Sequence, residues 1–111
     1  MASNNTLARI LDAHQLKGAE NYANWLMNLR IVLDSKKLGY VIDQRMPQAI
    51  SDNASPEEKE TYRKWLDDDL KVKSYILGSM STELQREHVH MDNAGSIMLH
   101  LKELFGDRPQ F

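Results

Sequence analysis

The sequence predicts an all-α protein: a small bundle of about four to five helices forming one domain over residues 1–111. Three stretches carry apolar residues at helical spacing, and each begins after a residue type that commonly caps helices. No stretch sustains the alternation of apolar and polar residues that is typical of a strand. With 41% apolar and 27% charged residues, the chain has the composition of a globular domain with one core.

The first two predicted helices lie in the first third of the chain. The first six residues are largely polar and are expected to be mobile, and Thr6 then caps a short helix over residues 7–14. A longer helix is predicted over residues 22–37, with Asn21 as its N-cap and Gly39 as its C-terminal stop. Its core-facing arc carries Tyr22, Trp25, Leu26, Leu29, Val32 and Leu33.

Two stretches without regular structure are expected next. Val41, Ile42 and Met46 lie in an extended or irregular segment that Pro47 ends. Residues 48–55 are rich in Ser, Asn and Asp, which indicates a loop.

The longest predicted helix has the strongest start signal. Ser55 can cap it, Pro56 suits the first helical position, and Glu58 completes a capping box. The helix is predicted over residues 56–77. Its apolar face carries Tyr62, Trp65, Leu66, Leu70, Val72, Ile76 and Leu77.

Two more helices complete the expected bundle. A short one is predicted over residues 82–89, starting at Ser81 or Thr82. Asp92 is the expected N-cap of the last helix, which Gly106 and then Pro109 end. That helix carries an apolar stripe of Ala94, Ile97, Met98, Leu101, Leu104 and Phe105.

The bulk charge excludes some classes of partner. The net charge of −2 lacks the concentrated basic surface that nucleic-acid or membrane-surface binding requires, so we predict no specific nucleic-acid binding and no membrane association. The chain has no cysteine, which excludes disulfides and thiolate metal sites. No signal peptide or membrane span is evident, so we expect an intracellular, cytoplasmic protein, or a nuclear one if it is host-adopted.

A metal site is the first chemical alternative that the sequence offers. His88 and His90, with Glu87 and Asp92 nearby, are of the residue types that commonly coordinate a metal ion. On a helix, however, residues two apart point roughly 200° away from each other, so the two imidazoles diverge. We therefore predict ordinary surface or partly buried histidines, with no metal and no cofactor.

The acidic run Asp67, Asp68 and Asp69 is the second alternative. Three successive helical residues fan over about 200° and cannot converge on a cation, so we predict a solvated face. Asp69 is the exception because it falls within the apolar arc, four residues before Lys73. It is expected to pair with Lys73 or with a cation from a neighbouring helix, such as Arg30. No motif of a known catalytic site is present, and no enzyme is predicted.

A second apolar face marks a candidate interface. Met27, Ile31 and Leu38 lie opposite the Trp25 arc of their helix, and Leu99 lies outside the stripe of the last one. Such residues either contact a partner or are covered within the chain, for example by the helix over residues 7–14. We predict that they form a weak homo-oligomeric contact.

The order of several short segments resembles one known family. Residues 16–25, which read LKGAENYANW, resemble the opening of the Gag proteins of plant copia-type LTR retrotransposons. The resemblance continues, in order, through LRIVL (29–33), LGYVID (38–43), WLDDD (65–69), YILGSM (75–80) and LKELFG (101–106). It covers nearly the whole chain.

The resemblance implies a helical domain like the N-terminal region of a retroviral capsid protein. Gag proteins of this kind self-assemble into particles that package the RNA of the element. The helical patterns give the core positions Leu29, Ile76, Leu101 and Phe105 and, within an apolar arc, Asp69. Carried over from the family, the motif positions are Gly18, Asn21, Tyr22, Trp25 and Trp65. We interpret them as residues that determine the fold, with Gly18 in a special backbone conformation and the two tryptophans as the largest core anchors.

The chain departs from the family after Gly106. Family members continue with more helices and usually a Cys/Cys/His/Cys zinc knuckle, and this sequence has neither. We therefore expect a non-enzymatic capsid-type domain that binds copies of itself. A host-adopted Gag fragment that binds another protein is the first alternative, and an RNA-binding module is the second.

Overall fold

The computed structural model describes residues 3–45 and 47–106. Its helices are α1 (Ser3–Ala13), α2 (Tyr22–Ser35), α3 (Tyr40–Asp43), α4 (Pro56–Gly78), α5 (Thr82–His88) and α6 (Ala94–Leu101). A 3-10 turn, Ala19–Asn21, leads into α2, and a π-helical turn, Lys102–Gly106, continues α6. Those residues contain no strand, only an isolated parallel bridge between Leu16 and Met80. The all-α prediction is confirmed.

The first helix begins earlier than its sequence pattern indicates. The backbone of α1 is helical from Ser3, whereas the prediction started at residue 7 with Thr6 as the cap. The first N–H groups of a helix have no intrahelical partner, so polar residues are well tolerated in its first turn and leave no apolar signal there. Of the other predictions, those for residues 1–2, Met46 and Pro109 lie outside the described residues.

The start of α4 follows the predicted capping box. The Ser55 hydroxyl accepts a hydrogen bond from the Glu58 N–H at 3.1 Å, and the Ser55 N–H donates to Glu58 Oε1 at 2.8 Å. Pro56 occupies the first turn, where its missing N–H leaves nothing unsatisfied. The helix then extends for 23 residues to Gly78. Across the described residues, no helix is long and apolar enough to cross a membrane.

The end of α2 differs from its prediction. The left-handed residue there is Lys37, with φ of 61°, and not Gly39, whose φ is −60°. The Leu38 N–H donates to the Leu33 carbonyl at 2.8 Å, and the Lys37 N–H donates to the Asp34 carbonyl at 3.0 Å. These two bonds define a Schellman motif.

The Schellman motif redirects the residues immediately after α2. Leu38 is turned into the protein and is only 6% exposed, so its predicted place on an interface is wrong. The apolar residue after a Schellman motif commonly packs back on the helix, which accounts for this burial. Val41 and Ile42 belong to α3 and are not extended, contrary to the prediction.

The predicted core is largely confirmed. Trp25, Leu29, Ile76 and Leu101 are fully buried, and Trp65 is 6% exposed. Phe105 is only partly buried and packs against the edge of this core. The burial of so many large side chains is the main force that stabilises a domain of this size.

The two tryptophans are buried in different ways. The Trp25 indole N–H donates to the Ser79 hydroxyl at 3.0 Å, which joins α2 to the end of α4. The Ser79 hydroxyl in turn donates to the Ile76 carbonyl at 3.0 Å. The Trp65 indole N–H is also buried, but it has no acceptor among the described residues. Trp25 is therefore held by packing and a hydrogen bond, and Trp65 by packing.

Side-chain caps also order the last two helices. Ser81 caps α5, where its hydroxyl accepts a hydrogen bond from the Leu84 N–H at 3.3 Å. Asn93, and not the predicted Asp92, caps α6 and accepts from the Ser96 N–H at 2.8 Å. Both residues are good N-caps, so the sequence alone did not separate the two neighbouring positions.

Candidate interaction surfaces

Asn21 holds the loop that leads into α2. It occupies the N-cap position, but its side chain makes no cap hydrogen bond, contrary to the prediction. Its Oδ1 accepts from the N–H groups of Lys17 and Gly18 at 3.0 and 3.4 Å, and its Nδ2 donates to the Gln15 carbonyl at 2.7 Å. Asn21 is therefore a structural brace for this loop.

Gly18 does not have the special backbone angle that was expected of it. Its φ of 166° is extended, a conformation that any residue adopts. A Cβ at this position would lie 2.8 Å from Oε1 of Glu20, the mobile end of a flexible side chain. The neighbouring Leu16 is fully buried, and it bonds through its backbone to Ser79 and Ser81.

Three aromatic residues join the start of α2 to the C-terminal turn. The Tyr22 ring centroid lies 6.2 Å from that of Trp25 and 6.1 Å from that of Phe105, and both pairs are tilted. Aromatic rings at this separation attract each other through their quadrupoles as well as through burial. The motif residues of this region thus support the fold, as the sequence predicts.

An apolar groove runs along the outer side of α2 toward the C-terminal turn. This cavity of about 520 Å³, here called the α2 groove, is lined by Ala19, Tyr22, Ala23, Leu26, Met27, Arg30, Ile31, Phe105 and Gly106. Met27 and Ile31 are 57% and 44% exposed, so α1 does not cover them. The alternative that the first helix shields these two residues is therefore wrong.

A charged pair borders the α2 groove. The Arg30 guanidinium donates two hydrogen bonds to the Asp43 carboxylate, each 2.8 Å long. This pairing raises the pKa of Arg30 and lowers that of Asp43. Bidentate contacts of this kind fix the orientation of both side chains, so the pair ties α3 to α2.

Leu99 does not belong to the α2 groove. It is 59% exposed on α6, nearly the same fraction as Met27, but it is not among the groove-lining residues. Of the four residues predicted at an interface, the structure brings together Met27 and Ile31 only.

The acidic run on α4 is split among three environments. Asp67 is exposed and bonds to Arg63 at 2.8 Å. Asp68 and Asp69 are 6% and 7% exposed, so the predicted solvated face is wrong for Asp68. The Tyr40 hydroxyl donates to the Asp68 carboxylate, which places part of α3 over this carboxylate.

Asp68 remains a carboxylate despite its burial. Burial raises its pKa, but hydrogen bonds from the Lys64 ammonium and the Tyr40 hydroxyl, with the charge of Lys71, outweigh it and lower the pKa. Lys64 Nζ lies 2.7 Å and Lys71 Nζ lies 3.9 Å from the carboxylate oxygens. Asp68 is therefore a buried anion that organises the cations around it.

Asp69 points toward the start of α6. Its Oδ1 accepts a hydrogen bond from the Ala94 N–H at 3.0 Å. Burial raises its pKa, and neither this bond nor the charge of Lys73 fully offsets that effect. The suggested bond to Arg30 is wrong, because Arg30 pairs with Asp43. Asp69 thus anchors one helix to another, a structural role.

A basic groove lies between the end of α2 and the middle of α4. This cavity of about 470 Å³, here called the basic groove, is lined by Lys36, Lys37, Leu38, Lys64, Asp68, Lys71 and Tyr75. The sequence pattern did not predict it. The available signal was the spacing of Lys64, Asp68, Lys71 and Tyr75, which are four, three and four residues apart and share one helix face.

The histidines form a pair that the sequence did not indicate. His88 is fully buried, with Nδ1 2.7 Å from the Leu84 carbonyl and Nε2 2.8 Å from Nδ1 of His100. His90 is exposed and does not join them. Within the described parts of the chain, no group of three or more potential metal ligands lies close enough to hold an ion.

Comparison of the chain with protein-family models, with curated proteins and with solved structures yields no match.

Proposed function

We propose that the chain is a Gag-derived, capsid-type domain without enzymatic activity, which acts through protein–protein contacts and associates with copies of itself. The ordered sequence resemblance to copia-type Gag proteins supports the family assignment. The exposed α2 groove is the observation that carries the self-association, because Met27 and Ile31 place apolar surface in water. In a full-length parent, the same contacts would contribute to the assembly of a particle.

The shape of the α2 groove favours helix packing between two copies. Its exposed residues Met27 and Ile31 are four apart, so they lie side by side on one helix face. A two-fold arrangement would place the same face of both subunits in contact and bury each apolar stripe on the other. Methionine adapts to such surfaces because its side chain is flexible. A specific contact would bury more than about 1,000 Å² in total.

Light scattering after size exclusion, over a range of protein concentrations, tests this proposal. Met27→Asp and Ile31→Asp should keep the helical circular dichroism of the wild type but shift the protein to a monomer, since each places a charge in the contact. Leu99→Asp is the matched control, because Leu99 and Met27 are exposed to nearly the same extent, 59% and 57%. The control should associate like the wild type.

Two results would refute the proposal. A wild-type chain that stays monomeric at millimolar concentration would exclude self-association through this surface. Equal dissociation of the Leu99→Asp and Met27→Asp variants would show that the α2 groove is not the contact.

The basic groove favours a second candidate function, a module that binds another protein. Four lysines gather there on a chain whose net charge is negative. This candidate corresponds to a host-adopted Gag fragment that has a partner of different sequence. It does not depend on the α2 groove, since the two grooves have no lining residue in common.

A further inference from the structure

The basic groove carries a charge opposite to that of the whole chain. Lys36, Lys37, Lys64 and Lys71 face a single carboxylate, Asp68, whereas the complete chain has a net charge of −2. Asp68 is already bonded to Lys64 and to the Tyr40 hydroxyl. The groove therefore presents an excess of positive charge to solvent.

Two of these lysines have no carboxylate partner among the described residues. Lys36 lies with its ammonium 5.8 Å from the centre of the Tyr75 ring. In the described part of the chain, neither Lys36 nor Lys37 forms an ion pair. Lys37 also occupies the left-handed position of the Schellman motif, which glycine occupies more easily. The Lys37 ammonium therefore lies at the rim of the groove although glycine would fit this backbone conformation better.

An apolar shelf continues the basic groove along α4. An adjoining cavity is lined by Leu70, Lys71, Ser74 and Tyr75, and it shares Lys71 and Tyr75 with the basic groove. Leu70 is 63% exposed, the largest value among the exposed large apolar residues of the described chain. Cationic and apolar surfaces therefore meet at Tyr75.

We propose that this combined surface binds an acidic peptide segment of a partner protein. Carboxylates of the peptide would contact Lys36, Lys37 and Lys71, and an apolar side chain would cover Leu70 beside Tyr75. Such a mixture of charge and apolar contact gives both attraction and orientation.

A peptide fits the groove better than a nucleic-acid backbone does. Lys64 and Lys71 lie 2.7 and 3.9 Å from the Asp68 carboxylate, which neutralises part of their charge. Nucleic-acid affinity also depends on neutralising many successive phosphates, and four lysines offer few such contacts. A phosphodiester backbone has no apolar group that could cover the exposed Leu70 side chain.

The test uses a fluorescent eight-residue peptide that contains five glutamates, one leucine, one phenylalanine and one glycine. Fluorescence anisotropy measures its affinity for the complete chain, and amide chemical shifts map the contact. We expect saturable binding that weakens with salt, with shifts concentrated at residues 36–38, 64, 71 and 74–75. A single-stranded RNA octamer of uridines is the competing probe.

Three variants assign the binding to the basic groove. Lys37→Gly removes a cation but relieves the backbone, so it should bind roughly threefold more weakly while the protein becomes more stable. Lys71→Glu should weaken binding by roughly tenfold because it reverses a charge. Lys59→Glu makes the same charge change near the start of α4, outside the groove, and should bind within about twofold of the wild type.

Any of three results would overturn the proposal. The first is a lack of saturable peptide binding at millimolar concentration. The second is tighter binding of the RNA octamer than of the peptide. The third is that Lys59→Glu weakens peptide binding as much as Lys71→Glu. The basic groove and the α2 groove share no lining residue, so the outcome is separate from that of the self-association experiment.

Discussion

The contrast between the two buried tryptophans yields a sharp test of the core. Trp25 and Trp65 are both buried, and the indole of Trp25 donates to the Ser79 hydroxyl at 3.0 Å. The Trp65 N–H lacks an acceptor among the described residues. Replacing each tryptophan with phenylalanine removes the N–H and part of the ring, so packing is lost at both sites and a hydrogen bond at one.

The expected difference can be worked out from typical magnitudes. Truncating either residue to alanine should cost about 3–5 kcal/mol, so the smaller change to phenylalanine should cost roughly 1–2 kcal/mol in packing. Trp25→Phe also loses a hydrogen bond worth about 1 kcal/mol. Trp65→Phe removes a buried donor whose missing partner costs roughly 1–3 kcal/mol, which offsets much of its packing loss. If the packing losses are equal, Trp25→Phe should therefore be less stable than Trp65→Phe by at least about 2 kcal/mol.

Urea unfolding followed by circular dichroism at 222 nm measures this difference, and thermal melting checks it. About 2 kcal/mol corresponds to roughly 10 °C in melting temperature for a domain of this length. Ser79→Ala provides the control: it should destabilise the wild type but have less effect when Trp25 is already phenylalanine. Equal stability of the two phenylalanine variants, or a larger loss in Trp65→Phe, would refute the assignment.

Three further predictions address single residues. Lys37→Gly should raise the free energy of unfolding by about 0.5–1 kcal/mol, because it relieves a left-handed φ of 61°; a lower urea midpoint would contradict this. Burial raises the pKa of Asp69, so the fold is stabilised when this side chain is protonated. The contribution is complete below the unfolded-state pKa and is lost as the pH rises through the folded-state pKa. Asp69→Asn, which keeps an acceptor for the Ala94 N–H, should therefore raise the urea midpoint at pH 7 and leave it nearly unchanged at pH 3. The neutral form of the His88 ring should carry its proton on Nδ1, because that nitrogen lies 2.7 Å from the Leu84 carbonyl; nitrogen-15 spectra that show the Nε2–H form would exclude this arrangement.

The helices that depend on local signals could be predicted from the sequence. Ser55 and Glu58 form their capping box through neighbouring backbone groups, so no distant residue is needed to start α4. The arcs that contain Trp25 and Trp65 follow from the helical period, and both residues are buried. The same period places Met27 and Ile31 on the opposite side of α2, but only the structure shows that the first helix leaves them exposed.

The candidate surfaces were only partly predictable. Met27 and Ile31 were identified, but Leu99 lies outside their groove and Leu38 is buried. The basic groove was missed because its cations come from two segments. Lys36 and Lys37 directly follow α2, whereas Lys64 and Lys71 lie on α4, and a single helix pattern does not show which faces meet.

Apart from α3, local patterns thus determined which segments are helical and which side chains anchor the core, because capping and helical periodicity act over a few residues. Only the tertiary structure decided the environments of the polar residues. Asp68 is buried because Tyr40, 28 residues earlier, covers it, and His88 meets His100 through the packing of α5 and α6. Such contacts join residues that are distant in the chain. Their cost or benefit depends on desolvation and on a partner that folding must bring into place.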